Sequence, residues 1–245
     1  CVMSFFLLEK LFTSLVISAI LFCMNFLAHA VFADGPEDVL FGSITADRFK
    51  GIDKSKLPVG VQDGIRVHME LDRFFDSYKP LGSSRSRLHD LVRHYANGVF
   101  DVCCDHILSR RWNDLFINGI DVFVEDVYKI AKDRQSLLPE SQRAVIEKMI
   151  EGDWLRNYSQ AAGLEVALQR IAYRGSHGGI VAERIPDILK VIPEIESTVL
   201  TAFPAIREHM DGVMRSFAYE PGARLHWRES YTSHPELQRR TGSER

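Results

Sequence analysis

No CxxC pair occurs anywhere in the chain. Its four cysteines are Cys1, Cys23, Cys103 and Cys104, and the vicinal pair Cys103-Cys104 cannot serve an ordinary disulfide framework. This argues against a thiolate zinc site and a disulfide-stapled scaffold. It fits a reducing, cytoplasmic compartment, with Cys103 and Cys104 as small buried apolar residues. Strand signals are nearly missing too, since no run of alternating Val, Ile and Thr is bounded by hairpin turns. An excess of positive charge is also lacking. A formal net charge of -3 over 245 residues argues against a general nucleic-acid binder, which needs a concentrated basic surface. It leaves room for a local basic patch facing an acidic partner. There is no internal repeat and no low-complexity tract.

What is present is ordinary for a globular protein: 46% hydrophobic and 26% charged residues, and enough length for a proper core. The two ends stand apart. Residues 1–23 carry an apolar run from Leu11 to Cys23, broken only by Thr13, Ser14 and Ser18. It is short for a bilayer span but suits a signal-peptide core behind Lys10, with Ala28-His29-Ala30 as a cleavage pattern. A genuine signal would make the protein exported or membrane-anchored. The alternative is translated upstream sequence, because the chain opens on Cys1 and Met24 begins a segment that looks like a protein start. That second reading is the one expected here. Residues 218–245 have little apolar periodicity and are expected to form a disordered polar tail.

Between the ends, helical spacing dominates. Asn25 can cap a short helix through Ala33. Further helices are expected from Glu37 to Phe49, from about Pro58 to Tyr78, from about 85 to Trp112 with a bend near Gly98, and over 120–137, 140–150, 160–173 and 187–216. Pro139, Gly152, Gly175, Gly178, Gly179 and Pro186 punctuate them. The economical reading is one all-α domain over residues 24–217, a single helical bundle.

Several polar residues stand where apolar ones are expected. On the helix around Asp72, Arg66, Glu70, Arg73 and Ser77 gather on one arc at 100° per residue, while Val67, Leu71, Phe74, Phe75 and Tyr78 gather opposite. His68, Asp72 and Asp76 follow at i, i+4 steps in a stripe on the apolar side. Two carboxylates and an imidazole placed there need compensation, from a divalent cation, from basic side chains or from a structural ion-pair network. The helix around Asp105 is apolar all round, the mark of a central helix, and Asp105 and His106 sit in its middle. His29 and Asp47 lie in apolar surroundings of their own. Each alone reads as a satisfied core residue. Together they are histidines and aspartates on four helices, from which bundles build metal sites. Mixed imidazole and carboxylate donors suit Mn²⁺, Fe²⁺, Mg²⁺ or Zn²⁺, and without thiolates the harder cations gain weight.

In these same residues the chain resembles the acyl-carrier-protein phosphodiesterases. The resemblance runs through Met24-Asn25-Phe26-Leu27-Ala28-His29, then Gly42-Ser43-Ile44-Thr45-Ala46-Asp47-Arg48-Phe49-Lys50-Gly51, then Gly64-Ile65, His68, and Asp72 with Phe74-Phe75-Asp76-Ser77. It continues in Asp101-Val102-Cys103-Cys104-Asp105-His106-Ile107-Leu108 with Trp112, and in Trp154-Leu155, Tyr158, Gly163, Leu168 and Arg174. It implies a helical fold distantly similar to HD-type metal phosphohydrolases. The implied reaction hydrolyses the phosphodiester joining 4′-phosphopantetheine to a serine of holo acyl carrier protein, with a divalent cation, typically Mn²⁺. Carried onto matching positions, it implies Asp47, His68, Asp72 and Asp105 as metal ligands, with His29, Asp47 and His106 in catalysis. Met69, Phe75 and Tyr78 depart from the family's usual Arg, Thr and His. Because carrier proteins are acidic, a basic rim is expected, with Arg48, Lys50, Lys54, Lys56, Arg110 and Arg111 as candidates. An HD-type nucleotide phosphohydrolase would use the same parts, and a non-enzymatic helical binding protein with an ion-paired core is the rival from another class.

Overall fold

The computed structural model describes residues 26–173 and 178–228. The apolar segment 1–23, the expected cap Asn25, Arg174 and residues 229–245 lie outside the described residues. Among the described residues the protein is all-α, and the extended pairing is limited to one isolated bridge between Phe116 and Trp227. No described helix is long and apolar enough to cross a membrane.

The helices follow the apolar periodicity closely. They are α1 (Phe26–Phe32), α2 (Glu37–Thr45), α3 (Val59–Ser77), α4 (Gly82–Val92), α5 (Ala96–Arg110), α6 (Trp112–Leu115), α7 (Ile120–Arg134), α8 (Glu140–Glu151), α9 (Trp154–Asn157), α10 (Ala161–Ala172) and α11 (Gly179–Ser216). As expected, α5 is central. Phe100, Val102, Cys103, Ile107 and Leu108 are all buried, and α1, α4, α9, α10 and α11 pack around it.

α2 and α3 cross backbone against backbone. A Cβ on Gly64 would stand 2.1 Å from the Val39 carbonyl oxygen, and one on Gly42 would stand 2.3 Å from that of Val61. Glycine is therefore needed at both, and the close approach lays the end of α2 alongside the middle of α3. α11 runs for 38 residues through Pro186, Pro193 and Pro204. Spacings of 7 and 11 place all three prolines on one stripe, away from the buried Ile188, Ile192 and Ile195. That is the outer side of the helix, where a residue with no N–H to donate disturbs the packing least.

Three sequence expectations are corrected. The long stretch before Trp112 bends at Arg93, not at Gly98: Arg93 adopts φ 52° and ψ -124° and separates α4 from α5. Pro186 does not open the last helix, which starts at Gly179. Residues 218–228 are not a loose tail but a strap laid over the bundle. The buried Asp34 carboxylate accepts hydrogen bonds from the Arg224 and Leu225 backbone N–H groups at 2.8 and 2.7 Å, and from the Arg224 guanidinium at 3.1 Å. Trp227 packs on Phe32 and Phe116. Asp34 and its strap partners are about 190 residues apart in sequence, beyond the reach of periodicity.

Candidate metal centre

The site is assembled from α1, the end of α2, α3 and α5. His68 lies on α3 beside the glycine crossing, and its Nδ1 donates to the Ser43 carbonyl oxygen of α2 at 2.9 Å. That bond turns Nε2 toward Asp72, one turn further along α3, at 3.2 Å from Oδ2. His29 of α1 stacks on His68, with ring centroids 3.8 Å apart and planes 18° apart, and its Nε2 lies 3.3 Å from the other oxygen of Asp72. Ligand atoms from His29, His68 and Asp72 all lie within 4.8 Å of one another. The expected stripe therefore exists, but graded by depth. His68 is buried, the Asp72 side chain is 48% exposed, and Asp76 is exposed at the outer end.

A cleft of about 140 Å³ opens beside Asp72. Ala28, Leu71, Phe75 and Cys104 form its apolar walls, and Asp72, Asp76, Asn97 and Asp101 line it with polar groups. Burial pushes the Cys104 thiol well up, so it is an inert wall, not a nucleophile. Asp101 is not among the residues that the sequence reading places at the site. Its signal was available: it is the one other carboxylate in the apolar helix α5, one turn before Asp105, and helical residues four apart share a face.

Electrostatics at the site are those of crowded negative charge. Burial pushes the Asp101 carboxyl up to about 8, with further push from Asp72, Asp76 and Asp47. At Asp72 burial works in the same direction, but the His29 and His68 imidazoles outweigh it and hold the carboxyl well below the usual range. Burial, helped by the neighbouring His68, drives His29 down to about 4. For His68 burial also disfavours the charged ring, yet Asp72 outweighs it and raises the pKa. Asp47 contributes its charge from the edge, where its Oδ1 is 2.8 Å from Lys50 Nζ.

The donor set fits a divalent cation. Two imidazoles and a carboxylate converge, further carboxylates crowd the same space, and His29, 2% exposed, has no hydrogen-bond partner at Nδ1 and only the Asp72 carboxylate, 3.3 Å away, beside Nε2. Buried polar atoms are normally satisfied, and a coordinated ion would take one of those lone pairs.

Other residues expected at the centre are placed elsewhere. Both oxygens of Asp105 accept backbone N–H groups at the start of α1, from Leu27 at 3.2 Å and Ala28 at 2.8 Å. Burial pushes this carboxyl up against the pull of the two donors. Its place is one of support, fixing the short helix that carries His29. His106 points away, its Nδ1 donating to the Tyr158 carbonyl at 2.6 Å, with Arg110 and Glu196 as its charged neighbours. The structure does not bring Asp105 or His106 into the His29–His68–Asp72 group. The expected basic rim is also changed. Arg48 is 4% exposed, part of the interior, and Arg110 and Arg111 pair with Glu196. Of the unusual positions, Met69 faces solvent, Phe75 walls the cleft, and Tyr78 stacks on Phe74.

Fold and site together define a class: an all-helical protein with a His/Asp centre, suited to a divalent cation, at the side of an acidic cleft. Within that class the chain belongs to the acyl carrier protein phosphodiesterase family, which it matches over residues 24–206. It is similar to the acyl carrier protein phosphodiesterase of Photorhabdus laumondii, 23% identical over 186 residues, which are 76% of this chain and 94% of the relative. The protein of that name from Yersinia enterocolitica is 25% identical over 184 residues, 75% of this chain and 95% of the relative. A shorter and stronger stretch, 33% identical over 92 residues, is shared with that of Salmonella paratyphi A, covering 38% of this chain and 48% of the relative. No solved structure matches the chain.

Proposed function

We propose that this protein hydrolyses the phosphodiester joining 4′-phosphopantetheine to the serine of holo acyl carrier protein, releasing the apo protein, in the cytoplasm. The observation that carries the reading is the stacked pair of buried imidazoles converging on the two oxygens of Asp72, in a chain of this family.

His29, His68 and Asp72 would hold the cation, with Asp47 at the edge. Mn²⁺ is the first choice, and Mg²⁺ or Fe²⁺ the next. Held by these residues, a divalent cation would supply Lewis-acid chemistry, polarising a phosphoryl oxygen and making water a better nucleophile. The chain's own residues do the rest. The Ser43 carbonyl holds the Nδ1 proton of His68 and leaves Nε2 facing Asp72. Asp105 fixes α1, so that His29 stays against His68. Leu71, Phe75 and Ala28 narrow the cleft and limit water. Asp101 faces the same cleft, and the burial that raises its carboxyl pKa lets it hold a proton to pass to the serine oxygen as it leaves.

The test strips metal from the full chain with a chelator and incubates it with holo acyl carrier protein, with and without Mn²⁺, following the carrier by mass spectrometry. Mn²⁺-dependent loss of the phosphopantetheine mass is expected. Tight metal binding without that loss would turn the reading to nucleotide hydrolysis. Absence of both would leave an ion-paired structural core.

A further inference from the structure

The rim expected to meet an acidic partner is largely engaged within the fold, so the charge available for docking lies elsewhere. It lies on α4 and the turn after it. Arg85 and His89 are four residues apart on α4 and share a face, and Arg93 follows just past the helix end. With Ser86, His94 and Asn97 they line a cleft of about 400 Å³. Asp90 is the one acidic residue of α4, and it is not part of that lining. Among the described residues, His89, Arg93 and His94 enter no ion pair. The Arg85 guanidinium donates to the backbone carbonyl oxygens of Phe75 and Asp76, which leaves its charge uncancelled. Arg93 is held at the positive-φ bend between α4 and α5.

This basic cleft adjoins the acidic one. Asn97 lines both, and Asp101 of the acidic cleft is one turn further along α5. Arg85 is bonded to the same end of α3 that supplies Phe75 and Asp76 to the acidic cleft. A macromolecule seated on the basic cleft would lie beside the acidic cleft that Asp72 lines. A phosphopantetheinyl serine projects from its protein, so the protein body must lie to one side of the metal centre and the arm to the other.

Resting on the function proposed above, we infer that the α4 cleft lined by Arg85, His89, Arg93 and His94 is the docking surface for an acidic carrier protein. Complementary charge raises encounter rate and fixes orientation, and its effect falls as salt rises.

The experiment measures binding of holo acyl carrier protein to the full chain by fluorescence anisotropy, alongside release of phosphopantetheine and hydrolysis of bis(p-nitrophenyl) phosphate. Arg93→Glu and His89→Glu are compared with Lys129→Glu on α7. The cleft variants are expected to weaken carrier binding and raise its KM about tenfold or more, with kcat and small-diester hydrolysis within about twofold. Wild-type binding should weaken as salt rises from roughly 50 to 300 mM. His89→Glu lies on an exposed helix face and keeps the test open should Arg93→Glu fold poorly. Equal binding by wild type and both cleft variants overturns the assignment, as does an equal loss in Lys129→Glu. Cleft-dependent binding without release of the arm would overturn the proposed reaction and leave the docking surface standing.

Discussion

Helices α3 and α5 each contribute a buried histidine and an aspartate, and the two pairs end in opposite situations. On α3, His68 and Asp72 are four residues apart, share one face and meet at 3.2 Å. On α5, Asp105 and His106 are adjacent, so they leave the helix about 100° apart. Asp105 turns to the first turn of α1 and His106 to the Tyr158 carbonyl. Adjacent polar residues in a buried helix face two different neighbours, whereas an i, i+4 pair can serve one site. The residue of α5 that does share the α3 site is Asp101, one turn before Asp105.

The sharpest way to break this comparison is to remove Asp72. Asp72→Ala should lose bound metal and lower kcat/KM on holo carrier protein on the order of 10³-fold, while His106→Gln should retain metal. Metal content by plasma mass spectrometry and steady-state kinetics decide it, and equal losses in both would erase the distinction between the helices. Next comes Asp105→Ala, which strands two backbone N–H groups at the start of α1. It should cost about 1–3 kcal/mol of stability and, by loosening His29, about 10–100-fold in activity. Denaturant unfolding and kinetics on the same preparation read both, and Asp105→Asn, which keeps an acceptor, should be milder. Gly64→Ala tests the crossing that aligns α3 with α2. Forcing a methyl against the Val39 carbonyl should cost about 1–3 kcal/mol, seen as a lowered Tm, with weaker metal binding because Ser43 and His68 move apart.

The smallest effect concerns pH. Burial lowers the pKa of His106, so its neutral form is the one the fold favours. The unfolded chain, with the ordinary value near 6.5, then takes up a proton before the folded one does. The stability this gives is present above about pH 6.5 and is lost as pH falls through the lower folded value. The gap in unfolding free energy between wild type and His106→Gln should therefore be wider at neutral pH than in acid. A gap that widens in acid would contradict the assigned environment.

Helix positions and the His68–Asp72 stripe follow from local periodicity, which the sequence carries directly. His29 stands out by its apolar surroundings but alone reads as a satisfied core residue, and its stack on His68 depends on a crossing of two helices that periodicity does not specify. Asp101 was passed over because its neighbours Asp105 and His106 drew the same signal without sharing its direction. The bend at Arg93 carries no glycine to mark it. Arg48 reads as a surface charge in any local window, and tertiary packing buries it.

The strap at residues 218–228 bears on where the folded unit ends. The family match stops at residue 206, yet Asp34 and Phe32 near the start of the described chain are covered by Arg224, Leu225 and Trp227. Recognition and packing thus draw different boundaries. A chain cut at the first would keep every residue of the His/Asp centre, but it would lose the last turns of α11 with the buried Met210 and Met214 and uncover Phe32 and Phe116 beneath Trp227.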